Sequence, residues 1–286
     1  MRDRPQIVRT VAELRRLVAG WRSDGASVAL VTTMGALHAG HIALVHDARS
    51  RAARTVVSIF VNPTQFGPNE DFARYPRDEA SDVGKLAEAG VDAVFAPAGA
   101  EIYPPGFATI VVVAGAADGL ESDSRPHFFK GVATVVAKLL LSCLPDCAIF
   151  GEKDYQQLVV IRRMAADLTL PVEIVGYPTV READGLALSS RNAYLTPAER
   201  QAAPRLYRAL TAAALQIHRG QTPNEAISAS VQSLAEAGFR IDYLALRNAE
   251  SLAPVTDLAG EPLRLLVAAW LGKTRLIDNI AVKPPG

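Results

Sequence analysis

The run Thr55-Val56-Val57-Ser58-Ile59-Phe60-Val61 constrains this chain more than any other feature. A strand with one face in water alternates apolar and polar residues. A near-continuous apolar and β-branched run instead fits a parallel strand covered on both faces. Parallel neighbours cannot be joined by a tight hairpin and need crossovers, usually helices. The flanking sequence supplies that alternation: strand-like stretches at 28–32, 92–96 and 148–150 are interleaved with helical patterns near 42–51, 79–89, 131–144 and 155–168. Gly90 stands where a helix end favours glycine. The pattern predicts an α/β fold, a doubly wound parallel sheet with ligands beyond the carboxyl ends of its strands.

The second part of the chain reads differently. Thr196 with Glu199 and Thr222 with Glu225 are capping boxes, in which a hydroxyl and a carboxylate three residues on satisfy orphan N–H groups. Thr10 with Glu13 is a third, near the N-terminus. Pro197 and Pro223 occupy the first helical position, where a missing N–H costs little. Helices are therefore expected from these boxes to about His218 and to Ala237. Strand-like stretches follow at 241–246, 263–269 and 274–282. Helices followed by strands predict a smaller α+β domain over 180–286, after an N-terminal domain over 1–179.

Composition narrows the function class. Lys plus Arg and Asp plus Glu both number 30 among 286 residues, so the formal net charge is zero. That balance argues against a general nucleic-acid or acidic-membrane binder. The N-terminus lacks the apolar core of a signal peptide, and the apolar runs are too short or interrupted to span a bilayer. Cys143 and Cys147 have no further Cys or His grouping that would make a zinc site, and such sparse cysteine fits a reducing compartment. The expectation is a cytoplasmic protein with no membrane or nucleic-acid partner.

Four polar segments stand out. Thr33-Met34-Gly35-Ala36-Leu37-His38-Ala39-Gly40-His41 joins a buried strand to a helix expected to start near His41. Gly35 and Gly40 permit tight turning and close backbone approach, and the helix start is a natural phosphate site. His38 and His41, three apart, can face one ligand. Asn62 and Gln65, after the 55–61 run, offer neutral donors and acceptors for a hydroxylated substrate. Gly151-Glu152-Lys153-Asp154 follows another strand; Lys153 can meet phosphate, and Asp154 a ribose or a metal-bound water. Leu188-Ser189-Ser190-Arg191-Asn192 places two hydroxyls and a guanidinium where they can grip pyrophosphate, on a loop able to close over a nucleotide. Each segment alone has a bland alternative: a surface histidine pair, a polar turn, a solvated helix start, a linker.

Taken together, H-x-G-H and a later Ser-Ser-Arg resemble the HIGH and KMSKS signatures of the nucleotidyltransferase superfamily. The set TMGALHAGH, FVNPTQF, EDFARYP, RPHFFKGV, GEKDYQQ and LSSRN is similar to the pantothenate synthetase (pantoate–β-alanine ligase) family, over about residues 31–195. The resemblance implies a Rossmann-like N-terminal domain, the reactants ATP, Mg²⁺, (R)-pantoate and β-alanine, and a homodimer formed through that domain. It implies ATP contacts at Met34, Gly35, His38, Gly40, His41, Gly151, Lys153, Asp154, Val180, Leu188, Ser189, Ser190 and Arg191. His41, His38 and Lys153 would be catalytic, with His41 in the position usually assigned as proton donor. Gln65, Gln157 and Asn62 would hold pantoate, and Gln65 would also touch β-alanine. Metal ligands stay unassigned; of the acidic residues sometimes linked to metal, Asp82 remains, flanked by Ser81 and Lys85. One segment departs from the family's R-P-G-H-F: here Arg125-Pro126-His127-Phe128-Phe129 moves the histidine one position early.

The expected chemistry is attack of the pantoate carboxylate on the α-phosphorus of ATP, departure of pyrophosphate, and capture of the acyl-adenylate by the β-alanine amine. Two other classes share these residues: a nucleotidyltransferase that leaves AMP in its product, and a non-catalytic nucleotide-binding module.

Overall fold

The computed structural model describes residues 4–67 and 71–285. Residues 1–3 of the N-terminal stretch and Glu70 of the EDFARYP motif lie outside the described residues.

Six strands, β1 (Gln6–Val8), β2 (Val28–Thr33), β3 (Arg54–Ile59), β4 (Ala93–Phe95), β5 (Cys147–Gly151) and β6 (Glu173–Tyr177), form one sheet in the order β1-β4-β3-β2-β5-β6. Every pairing in it is parallel. Its helices are α1 (Val11–Ser23), α2 (Ala39–Arg51), α3 (Glu79–Ala89), the single turns α4 (Gly99–Ile102) and α5 (Glu121–Ser124), α6 (Phe128–Cys143) and α7 (Tyr155–Asp167). Alternate residues of the central strands serve two cores. Val28, Leu30 and Val56 pack with Val132, Val136 and Leu158 of α6 and α7. Ala29, Val31 and Val57 pack with Val45 and Leu86 of α2 and α3. Burial on both faces is why the 55–61 run is apolar at nearly every position, with Thr55 and Ser58 the two small polar exceptions, both buried.

From β2 the chain winds outward through β3 and β4, then returns to the other side of β2 as β5. The switch point lies between β2 and β5, and there the crevice for a ligand opens at the strands' carboxyl ends. Two of the segments that carry candidate residues, 33–41 and 151–154, leave those two strands.

After β6 come α8 (Pro197–Ala202), α9 (Arg205–His218), α10 (Pro223–Glu236) and an antiparallel sheet of β7 (Phe239–Asn248), β8 (Leu263–Leu271) and β9 (Thr274–Val282). All three expected capping boxes form. The single helix expected from 197 to 218 is broken at Ala203-Pro204, because Pro204 has no N–H to continue the ladder. Along β8, Leu265, Val267 and Ala269 meet α9 and α10, whereas Leu266 joins the core under α6 and α7. The small sheet is thus covered by its own helices on one face and seated on the larger layer by the other.

Candidate active site

The turn between β2 and α2 is held from within. Gly35 and Ala36 both have left-handed backbone, with φ of 82° and 52°, a conformation that disfavours any side chain. Asp82 of α3, 2% exposed, holds them there: its two carboxylate oxygens accept the N–H groups of Ala36 and Leu37, each at 2.8 Å. Lys85 donates to the carbonyl of Leu37 at 2.7 Å. Both oxygens of Asp82 are therefore committed to the turn, and the residue is a clasp rather than an open metal ligand. Gly35 serves the turn and does not line the cavity described below.

The helix starts earlier than expected, at Ala39, with His38 as its N-cap. Nδ1 of His38 accepts the N–H of Gly40 at 3.1 Å, and Nδ1 of His41 accepts the N–H of His38 at 3.3 Å. The rings lie 4.1 Å apart between centroids. A Cβ at position 40 would sit 2.9 Å from Cε1 of His38, so Gly40 makes room for that ring. An imidazole accepting at Nδ1 carries its proton on Nε2, which leaves both Nε2–H groups free to donate. Burial, then the charge of His38, then that of Lys153, lowers the pKa of His41 to about 3. Burial first and Lys153 second lower His38 as well. At neutral pH His41 offers the cavity a neutral Nε2–H.

At the end of β3 the expected pair divides its work. Asn62, 1% exposed, donates to Oε1 of Gln65 at 3.1 Å and to the carbonyl of Gly131 at 3.2 Å. Its Oδ1 accepts from Thr64 Oγ1 at 2.9 Å and Tyr103 Oη at 2.8 Å. The carboxamide is saturated, so Asn62 buttresses Gln65 and has no donor or acceptor left for pantoate. Gln65 is oriented by Asn62 and by Met34, whose Sδ lies 3.0 Å from Nε2. Arg125, which sequence reasoning had not assigned, donates to the backbone carbonyl of Gln65 at 3.1 Å. The shifted His127 stands at the N-cap position of α6 without a side-chain capping bond and does not line the cavity, and its Nε2 is buried without a partner; Phe128 and Phe129 line the cavity instead.

Residues 152–154 form a tight turn between β5 and α7. It is gripped from the small sheet, where Asn279 of β9 donates to the carbonyls of Glu152 and Lys153, each at 2.9 Å. The Ser-Ser-Arg segment hangs from an antiparallel ribbon in which Arg181 pairs with Ala187. Arg181 forks onto Asp278 of β9 at 2.6 and 2.9 Å and stacks over Tyr207 at 3.8 Å. Gly185, with φ of 96°, turns the ribbon at a point where a Cβ would meet Tyr207 at 2.7 Å. Arg200 secures its acidic tip through Asp184 and Glu182. Ser189 caps the turn at 190–194, its Oγ accepting from Arg191 N–H at 3.2 Å while its own O–H stays available.

These segments enclose one cavity of about 800 Å³. Met34, His38, Gly40, His41, Asn62, Gln65, Gly151, Lys153, Asp154, Gln157, Val180, Leu188, Ser189, Ser190 and Arg191 all line it. The small sheet adds Tyr243, Lys273, Arg275, Asp278 and Asn279, which sequence reasoning did not find. Asp278-Asn279 was the available signal: two polar residues within an apolar strand pattern, 4% and 3% exposed. The cavity can hold an anion against two imidazole donors, an ammonium, two hydroxyls and a guanidinium, beside a neutral glutamine pair.

Comparison with known proteins gives one answer. Residues 6–281 match the profile of the pantoate-beta-alanine ligase family. The chain is 60% identical over 279 residues to the pantothenate synthetase of Paramagnetospirillum magneticum, covering 97% of this chain and 98% of that protein. The crystal structure of pantothenate synthetase from Thermus thermophilus superposes with a TM-score of 0.91 at 51% identity, covering 98% of this chain and all of that one. Pantoate-beta-alanine ligase from Francisella tularensis, solved in complex with beta-gamma ATP and beta-alanine, superposes with a TM-score of 0.80 at 33% identity over 97% of both chains. The match extends through the small sheet, well past the 31–195 stretch that carried the sequence resemblance. This chain belongs to the pantoate–β-alanine ligase family.

Proposed function

We propose that this chain condenses (R)-pantoate with β-alanine, converting ATP to AMP and pyrophosphate through a pantoyl-adenylate. One observation carries the residue assignments: four segments far apart in sequence turn their polar groups into one cavity at the switch point. A pantoate carboxylate oxygen, oriented by Gln65 and Gln157, bonds to the α-phosphorus as the bond to pyrophosphate breaks. The Nε2–H groups of His38 and His41, Lys153, Ser189, Ser190 and Arg191 stabilise charge gathering on the departing pyrophosphate, which is catalysis by placement and electrostatics. The β-alanine nitrogen, having lost a proton, then attacks the acyl carbon and expels AMP. No enzyme nucleophile is needed, so both serines act as binders.

Mg²⁺ fits as a companion of the ATP phosphates. No group of three or more His, Cys, Asp or Glu among the described residues could hold a metal by itself, and Mg²⁺ ordinarily uses one or two carboxylates together with phosphate oxygens. Asp154, half-exposed in the cavity, is the carboxylate that would meet it. Mg²⁺ so bound would neutralise phosphate charge.

We place the domain division at 179/180, just after the larger sheet ends. We also read the chain as a cytoplasmic homodimer. Ile110 and Val112 are 64% and 63% exposed in a β-branched stretch that belongs to no sheet among the described residues, a surface that a second copy would cover. No helix among the described residues is long and apolar enough to cross a membrane.

AMP release followed with ATP and pantoate, with and without β-alanine, tests the reaction. Multiple turnover that requires the amine is expected. Pyrophosphate release without continuing AMP production would make the chain a simple nucleotidyltransferase, and no turnover would make it a binding module.

A further inference from the structure

We propose that Asn279 is a positioning residue for Lys153, fixing the lysine's turn from the opposite domain and tying it to the Ser-Ser-Arg ribbon. This inference rests on the role given to Lys153 above.

Asn279 is 3% exposed in the middle of β9. Its Oδ1 accepts from Arg264 Nε at 2.8 Å, and its Nδ2 donates to the carbonyls of both Glu152 and Lys153. A guanidinium only donates and a backbone carbonyl only accepts, so just one orientation of the carboxamide satisfies all three partners. The two carbonyls belong to the turn from which Lys153 reaches into the cavity. Arg264 reinforces the same turn, bonding Glu152 Oε2 at 3.0 Å and lying 3.9 Å over the ring of Tyr155.

The neighbour of Asn279 extends the linkage. Asp278 holds Arg181 at the base of the ribbon that carries Ser189, Ser190 and Arg191. Two consecutive residues of one strand thus join both phosphate-facing segments, one from each domain. Movement of the small sheet would shift the lysine and the ribbon together.

Asparagine has the donor and acceptor set this place needs. Alanine would leave two carbonyls and a guanidinium N–H without partners, and the turn would be free to drift. Displacement of a catalytic group by about 1 Å is enough to cost ~10²-fold in rate.

The test is a double-mutant cycle in the full enzyme. Asn279→Ala is expected to lower kcat by about tenfold or more while the KM values for ATP and pantoate change by less than about threefold. In a Lys153→Ala background the same substitution should remove less than about twofold further, because the group it positions is gone. Equal losses in both backgrounds, or an unchanged kcat, would overturn the proposal. Asn279→Ser, a smaller disturbance, is measured alongside; failure of both variants to fold would assign Asn279 to strand stability and also overturn it. A normal kcat in Lys153→Ala alone would instead remove the role assumed for the lysine, an outcome separate from either.

Discussion

The backbone N–H of His38 donates to Nδ1 of His41, while Nδ1 of His38 accepts from Gly40, so each ring of the pair is locked by the helix start it helps to build. The motif is a capping box made of imidazoles. Its consequence is chemical: both rings are fixed as Nε2–H tautomers aimed away from the backbone, available to an anion without gaining a proton.

Stability against pH should record this. The pKa of His41 falls from an ordinary 6.5 to about 3 on folding, with burial as the largest cause. Between those values the unfolded chain binds more protons, so stability is full above about pH 6.5 and declines as pH drops towards 3, by up to about 1.4 kcal/mol per pH unit for this group. Urea unfolding from pH 7 to 4.5 is expected to show a steeper decline for the native chain than for His41→Gln. Equal slopes would mean that the ring is not held neutral.

Asp82→Asn separates a clasp from a metal ligand. An amide N–H₂ would face one of the two backbone N–H groups now bound to carboxylate oxygens. The expected loss is about 1.5–3 kcal/mol of stability, the usual range for a hydrogen bond to a charged group, together with a lower kcat. The Mg²⁺ concentration giving half-maximal activity should not change; a large rise in it would make Asp82 a ligand.

Gly131→Ala tests how α6 positions Gln65. A Cβ there would lie 2.5 Å from the carbonyl oxygen of Thr64 and 2.8 Å from the backbone N of Gln65. Both are main-chain atoms that cannot rotate away. Overpacking of this kind costs about 1–3 kcal/mol, and displacement of Gln65 should raise the KM for pantoate more than that for ATP. Equal effects on the two substrates would detach Gln65 from pantoate.

Much of this was legible in the sequence because the signals were local. The TVVSIFV run announced a strand buried on both faces, the Thr-Glu pairs marked three helix starts, and the segments 33–41 and 151–154 were expected at strand carboxyl ends, where ligands bind. Asn62, Asp82 and Asn279 were misread or missed for one physical reason. A polar side chain bound to substrate and one saturated by distant backbone groups look alike in a sequence; only the fold shows that Asn62 serves Gln65 and Gly131, Asp82 serves Ala36 and Leu37, and Asn279 serves Glu152 and Lys153. The helix break at Pro204 was in plain view, but the strong Thr196 cap and the apolar periodicity up to His218 obscured it.

Exchange of labelled pyrophosphate into ATP, measured with pantoate and without β-alanine, tests the convergence of the four segments most directly. Exchange is expected to require pantoate, to proceed without the amine, and to fall sharply in Lys153→Ala and in Ser189→Ala with Ser190→Ala. Exchange that ignores pantoate, or its complete absence in an enzyme that still makes AMP when β-alanine is present, would contradict it.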